Sequence, residues 1–148
     1  HTPTRRQRQM CIRDRQDLSS VSDAPDFSKC VDGKVLEAKV ISVYDGDSIK
    51  VIFPLNGVLY RWSCRLNGVD TPEIRTRNIK EKELGLKVRD LLRDKILNKV
   101  VTLYCGELDK YGRLLVDINY GSENINHWLI TNGYAYEYNG GKKKSWDL

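Results

Sequence analysis

The chain has 148 residues and a net charge of +5, a length that allows one domain with a core that needs no disulfide staples. No apolar run approaches the ~20 residues that cross a bilayer, so no membrane-spanning helix is expected. The charge favours polyanionic partners without proving one: residues 1–15 hold five arginines against one aspartate and residues 16–33 one lysine against four aspartates, which leaves a surplus of four on 34–148.

Residues 1–15, HTPTRRQRQMCIRDR, do not begin with Met and show neither hydrophobic periodicity nor the apolar centre of a signal peptide. They are read as a non-native leader and set aside. The Ser, Asp and Pro of residues 16–33 read as a flexible lead-in, so the folded domain is expected over 34–148. There, VLEAKVISVY (35–44) and SIKVIF (48–53) are rich in β-branched residues and flank Asp-Gly-Asp, which predicts two strands joined by a tight turn. NGVLYRWSCRL (56–66) opens on an Asn-Gly turn signal and continues as a third strand.

Over 81–98 the pattern changes, with Leu84, Val88, Leu91, Leu92 and Leu97 at helical spacing among charged residues, Gly85 weakening the first turn. KVVTLYC (99–105) and RLLVDINY (113–120) return to strand character across GELDKYG, and NINHWLITNG (124–133) is a short helix that stops at Gly133. Five strands and two helices in this order fit an α+β fold, a five-stranded OB-fold barrel with two packed helices.

The charged motifs each admit two readings. In VYDGDSIKV, Asp45 and Asp47 suit a hairpin turn or half of an oxygen-ligand metal site. In RLNGVDTPEIR, Asp70, Thr71 and Glu73 form either a Pro-stiffened surface turn or the other half of that site, provided the third strand lies beside the first two. Arg65 is either a surface ion-pair partner or, with Arg113 of DKYGR, a two-armed clamp for a phosphodiester.

These motifs taken together resemble the staphylococcal-nuclease-type (thermonuclease) family over about Val35 to Tyr138. DGDS resembles the family's Asp-Gly-Asp-Thr, RLNGVDTPE its Arg-Leu-x-x-Val-Asp-Thr-Pro-Glu, DKYGR matches outright, and NHWLITNGYA resembles its late helix. The resemblance implies a Ca²⁺ ion on Asp47, Asp70 and the Thr71 carbonyl, with Asp45 in the outer shell. It implies Glu73 as general base, and Arg65 and Arg113 on the scissile phosphate. Lys110 and Tyr111 would hold a neighbouring phosphate, and Tyr136 or Tyr138 would stack on a base, Tyr138 being the one chosen. The implied activity is Ca²⁺-dependent hydrolysis of DNA and RNA to 3′-phosphate ends with little sequence preference, single strands being preferred. The alternative is an inactive module of the same barrel that binds single-stranded nucleic acid. A monomer is expected.

Ser48 departs mildly from the family's Thr, and the family's third helix is expected to be absent beyond NGGKKKSWDL. Trp146 is a candidate plug in its stead, and Lys142 to Lys144 are candidate phosphate contacts. Cys11, Cys30, Cys64 and Cys105 lack zinc spacing, so free thiols are expected, with a Cys64–Cys105 bridge as the alternative. His127, beside Trp128, is given packing or surface duty and no chemistry.

Overall fold

A computed structural model describes residues 18–24, 26–141 and 143–146; the leader 1–15, Cys11 and Lys142 lie outside the described residues. The chain divides into two units, His1–Cys30 and Val31–Leu148. The first contains two 3-10 turns, Leu18–Ser20 and Phe27–Cys30. The second contains every strand and α-helix among the described residues.

In the second unit, β1 (Val35–Asp45), β2 (Ser48–Leu55) and β3 (Val58–Leu66) form the expected antiparallel meander. After β4 (Val69–Asp70) and helix α1 (Ile79–Ile96) come β5 (Val100–Leu108) and β6 (Leu114–Tyr120). β5 pairs with β1 and β6 with β5, both antiparallel. Parallel pairing of β3 with β6, Arg65 beside Leu115, then closes the five-stranded OB-type barrel. Alternation makes the core: in β2, Ile49, Val51 and Phe53 are buried and Lys50 is exposed, as expected for a strand with one face inward. The chain finishes with β7 (Glu123–Asn124), helix α2 (Ile125–Thr131) and β8 (Tyr136–Glu137).

Helix α1 begins at Ile79, two residues before the predicted start, with the Asn78 side chain accepting the Glu81 N–H at 3.1 Å as its cap. Its buried stripe is Gly85, Val88, Leu92 and Ile96, whereas Leu84, Leu91 and Leu97 are only partly buried. Gly85 is the reason for that rotation. A Cβ there would meet the Pro72 carbonyl oxygen at 2.8 Å and the Glu73 carbonyl oxygen at 3.1 Å, so its bare face lets the helix lie directly on the backbone that carries Glu73.

Two short features were not visible in the sequence pattern. β4 pairs with β8, Asp70 opposite Tyr136, which ties the chain after α2 to the strand that ends in Asp70. Buried Asn126 on α2 donates to the Asn67 and Val116 carbonyls and accepts from the Ile118 N–H, so the helix is pinned to the β3–β4 connection by polar contacts as well as packing. Cys64 and Cys105 are free and buried. Burial pushes their thiols up to about 12 and about 11, a charge on Cys105 adding to the shift at Cys64, which makes both inert at neutral pH. His127 is exposed on α2 and its backbone N–H is capped by Asn124. Among the described residues no helix is long and apolar enough to cross a membrane.

Candidate active site

The β1–β2 connection brings Asp45 and Asp47 to one end of the barrel, both buried. Gly46 between them keeps φ negative, so the conformational freedom expected of a turn glycine is not its use. Space is: a Cβ would stand 2.7 Å from Val88 Cγ1 and 2.8 Å from Thr71 Cγ2. The absence of a side chain therefore sets the Asp-Gly-Asp turn hard against both α1 and the Asp70–Thr71 segment. Backbone bonding fixes the same approach from β3, where the Leu66 N–H donates to the Asp47 carbonyl at 2.9 Å.

β3 supplies Arg65, which pairs across from Ser48 in the β2–β3 register. Its Nη2 lies 3.4 Å from Asp47 Oδ2, and its Nη1 donates to the Leu66 carbonyl at 2.9 Å. Arg113, just before β6, reaches the same place from the far side of the closure, with Nη1 donating to Ser48 Oγ at 3.4 Å. Ser48 Oγ in turn donates to Asp47 Oδ1 at 3.2 Å. Both guanidinium groups thus converge on the Asp47–Ser48 corner. A carboxylate that sequence reasoning passed over aims Arg113: Asp109 accepts from the Arg113 Nε at 2.8 Å and from the Tyr111 and Arg113 backbone N–H groups at 2.9 Å. Burial alone would raise the Asp109 pKa, yet these hydrogen bonds and the Arg113 charge hold it below the usual range.

The remaining acids meet a lysine rather than the arginines. Asp70 is buried at the end of β4, and its Oδ1 accepts no hydrogen bond. Glu73, half-buried past Pro72, donates its backbone N–H to Glu81 Oε2 at 2.9 Å, a second anchoring contact absent from the sequence reading. A third is Lys143. Its ammonium stands 3.3 Å from Glu73 Oε1 and 3.5 Å from Asp70 Oδ1, and it feels the charge of Asp47 as well. Asp70 and Glu73 thus meet on one ammonium, in whose field Asp47 also lies. The cost of gathering them appears in the pKa values: desolvation, followed by the Asp47 charge, pushes Asp45 up to about 7, and burial raises Asp70 despite the Lys143 charge.

Among the described residues no three His, Cys, Asp or Glu side chains cluster tightly enough to enclose a metal by themselves. Asp47 and Asp70, whose Oδ1 accepts no hydrogen bond and has the Lys143 ammonium at 3.5 Å, fit a hard cation as a sparse pair of carboxylates that a carbonyl and water would have to complete. Beside them runs a cleft of about 730 Å³ lined by Arg65, Lys110, Tyr111, Arg113, Tyr138 and Lys143 among others. Tyr111 is 72% exposed, with Arg113 over its ring at 5.5 Å, and Arg65 lies over the Tyr138 ring at 5.6 Å. Tyr136 is instead stacked on Trp146 with ring centroids 4.2 Å apart, so Tyr138 is the tyrosine of the two that lines the cleft.

Residues 63–147 match the family described as staphylococcal nuclease homologues. An uncharacterized protein of Methanocaldococcus jannaschii is 36% identical, over 68% of this chain and 58% of that protein. A thermonuclease of Staphylococcus hyicus is 35% identical, over 66% of this chain and 56% of its own length, and an uncharacterized endonuclease of Escherichia coli is 29% identical over 70% and 61%. The chain spans little more than half the length of the curated relatives it matches.

Proposed function

The chain belongs to the staphylococcal nuclease homologue family, and from that premise we propose that it is a Ca²⁺-dependent endonuclease. It hydrolyses DNA and RNA with little sequence preference, prefers single strands, acts as a monomer and leaves 3′-phosphate ends. The observation that carries this reading is the convergence of Arg65 and Arg113 on the Asp47–Ser48 corner, with Asp70 and Glu73 gathered on Lys143 in the field of Asp47, beside a basic, tyrosine-lined cleft.

Asp47, Asp70 and the Thr71 carbonyl would hold the cation, with Asp45 behind them through water. When bound, Ca²⁺ supplies Lewis-acid polarisation of a phosphoryl oxygen. Glu73, kept in place by Glu81 and the α1 contact at Gly85, accepts a proton from the attacking water as its oxygen bonds to phosphorus. Arg65 and Arg113 carry the charge that builds on the equatorial oxygens, a task suited to permanently charged forks. The P–O5′ bond breaks, which leaves the phosphate on O3′ of the upstream fragment and, on the downstream fragment, a 5′-hydroxyl that takes its proton from the medium. Arg113 is no source for that proton, because guanidinium does not deprotonate in proteins. Lys110 and Tyr111 hold the neighbouring phosphate, and Tyr138 offers a ring for stacking. A site that grips phosphate and cation contacts no base edge, so weak sequence preference follows.

The test is incubation with single-stranded DNA or RNA, with Ca²⁺ or with chelator. Cleavage that requires Ca²⁺ and leaves 3′-phosphate supports the reading. Binding without cleavage would make the domain a nucleic-acid-binding module, and equal cleavage under chelator would remove the cation from the chemistry.

A further inference from the structure

From the contact of Lys143 with Asp70 and Glu73 we propose that the segment after β8 is a built-in counter-cation, whose ammonium must leave the acids before a divalent ion can occupy them. The proposal rests on the reading of Asp47 and Asp70 as the cation site and adds to it a residue outside the family motifs quoted above. The sequence suggested phosphate contact for this lysine stretch; the observed partners of Lys143 are carboxylates.

Three observations support the assignment. The first is position: an ammonium at 3.3 Å from Glu73 and 3.5 Å from Asp70, near Asp47 too, neutralises acids that the fold otherwise holds together at a cost. A divalent ion bound by Asp47 and Asp70 would lie within a few ångströms of that ammonium, a repulsion felt strongly where water is scarce. The second is anchoring. The Tyr138 N–H donates to the Gly68 carbonyl at 2.9 Å, and Trp146 stacks on Tyr136, so the segment is fastened on both sides of Lys143. The third is reversibility. The Lys143 side chain is 45% exposed and lies 5.7 Å from the Tyr138 ring centroid, which leaves it a path from the acids into the cleft. Its contact with Glu73, itself about half exposed, is weak enough to exchange, which leaves the buried Asp70 as the partner an ion has to win.

The consequence is a threshold: at low divalent-ion concentration the acids stay paired with the chain's own lysine, and the free ion has to displace it. Lys143 thus sets the apparent cation affinity, and Trp146 sets it indirectly by holding the segment in place.

The experiment is calorimetric titration of Ca²⁺ into the wild type, Lys143→Met and Trp146→Ala, without substrate. Lys143→Met should bind Ca²⁺ roughly fivefold more tightly, and Trp146→Ala should move the same way by less. Amide exchange of the wild-type segment 138–146 should quicken when Ca²⁺ is added. Ca²⁺ binding of equal or lower affinity in Lys143→Met, or exchange that Ca²⁺ leaves unchanged, would overturn the counter-cation while leaving the cation site intact. Failure of all three proteins to bind Ca²⁺ would overturn the cation site itself, and the counter-cation with it.

Discussion

Two turns at the same end of the barrel contain aspartate and glycine, and they use them in opposite ways. At the β5–β6 turn, Asp109 accepts three hydrogen bonds from the residues it organises, and its pKa falls. At the β1–β2 turn, Asp45 accepts from the Asp47 N–H but lies buried beside a second carboxylate, and its pKa climbs to about 7. The glycines differ likewise: Gly112 has φ +80° with open space where a Cβ would go, whereas Gly46 has ordinary φ and no space at all. One turn is built for its own stability and aims an arginine. The other holds acids together against their preference, which is expected where charge is kept for a ligand.

The largest test of that contrast removes the acid given the chemistry. Glu73→Gln keeps the side-chain shape and should lower turnover by about 10²–10⁴-fold with the melting temperature nearly unchanged, measured on single-stranded DNA with Ca²⁺. A mild effect would mean that the acidic cluster serves something other than water activation.

Next come the glycines. Gly46→Ala forces a methyl group onto Thr71 and Val88 and should cost about 1–3 kcal/mol in denaturant unfolding, with activity falling because Asp47 and Asp70 separate. Gly112→Ala meets no atom within 4 Å and pays only for its left-handed backbone, about 1 kcal/mol. Equal losses would erase the distinction between a glycine needed for space and one needed for φ.

Smaller, and opposite in sign, are the effects of neutralising the two aspartates. Asp109→Asn loses the charged contact with Arg113 and should destabilise the protein by about 1 kcal/mol. Asp45→Asn keeps an oxygen for the Asp47 N–H while removing a buried charge, so at pH 8 without divalent ions it should stabilise the fold. Destabilisation by both would mean that Asp45 is as well satisfied as Asp109.

Much of the fold was legible in the sequence because its strands alternate and α1 is amphipathic, patterns set by local burial. The family motifs likewise pointed to Arg65, Glu73, Arg113, Asp47 and Asp70; the fold brings the two arginines to the Asp47–Ser48 corner and the other two acids to Lys143. What escaped were contacts between distant positions whose residues look ordinary in place. Gly46 and Gly85 read as turn and helix-weakening residues, because a close approach by Thr71 or by Pro72 leaves no local signal. Glu81 and Asp109 drew no reading of their own, yet the Glu73 N–H and the Arg113 guanidinium bond to them. β4 and β8, two residues each, are too short for any periodicity, yet their pairing starts the path that returns Lys143 to the acids. The DKYGR turn held the one clue available, since an Asp four residues before an Arg can accept from its backbone and side chain alike.

The subtlest expected effect is the pH dependence of stability, in which the two turns act in different windows. Asp45 has an ordinary pKa of 3.8 and a folded value of about 7, raised by burial first and the Asp47 charge second. Between those values the folded state binds more protons than the unfolded one, so stability falls as pH rises from about 4 to about 7. Burial-raised Asp70 acts in the same direction. Asp109, lowered by its hydrogen bonds and by Arg113, contributes stability above 3.8 that is lost as pH falls through its folded value. In chelator the melting temperature should therefore peak in the mildly acidic range and decline by several degrees towards pH 7, a decline that saturating Ca²⁺ should flatten because the ion binds the carboxylates once deprotonated. A chelator profile that rises steadily to pH 7 would show that the acids of the β1–β2 turn are as comfortable as Asp109, and the contrast between the two turns would be lost.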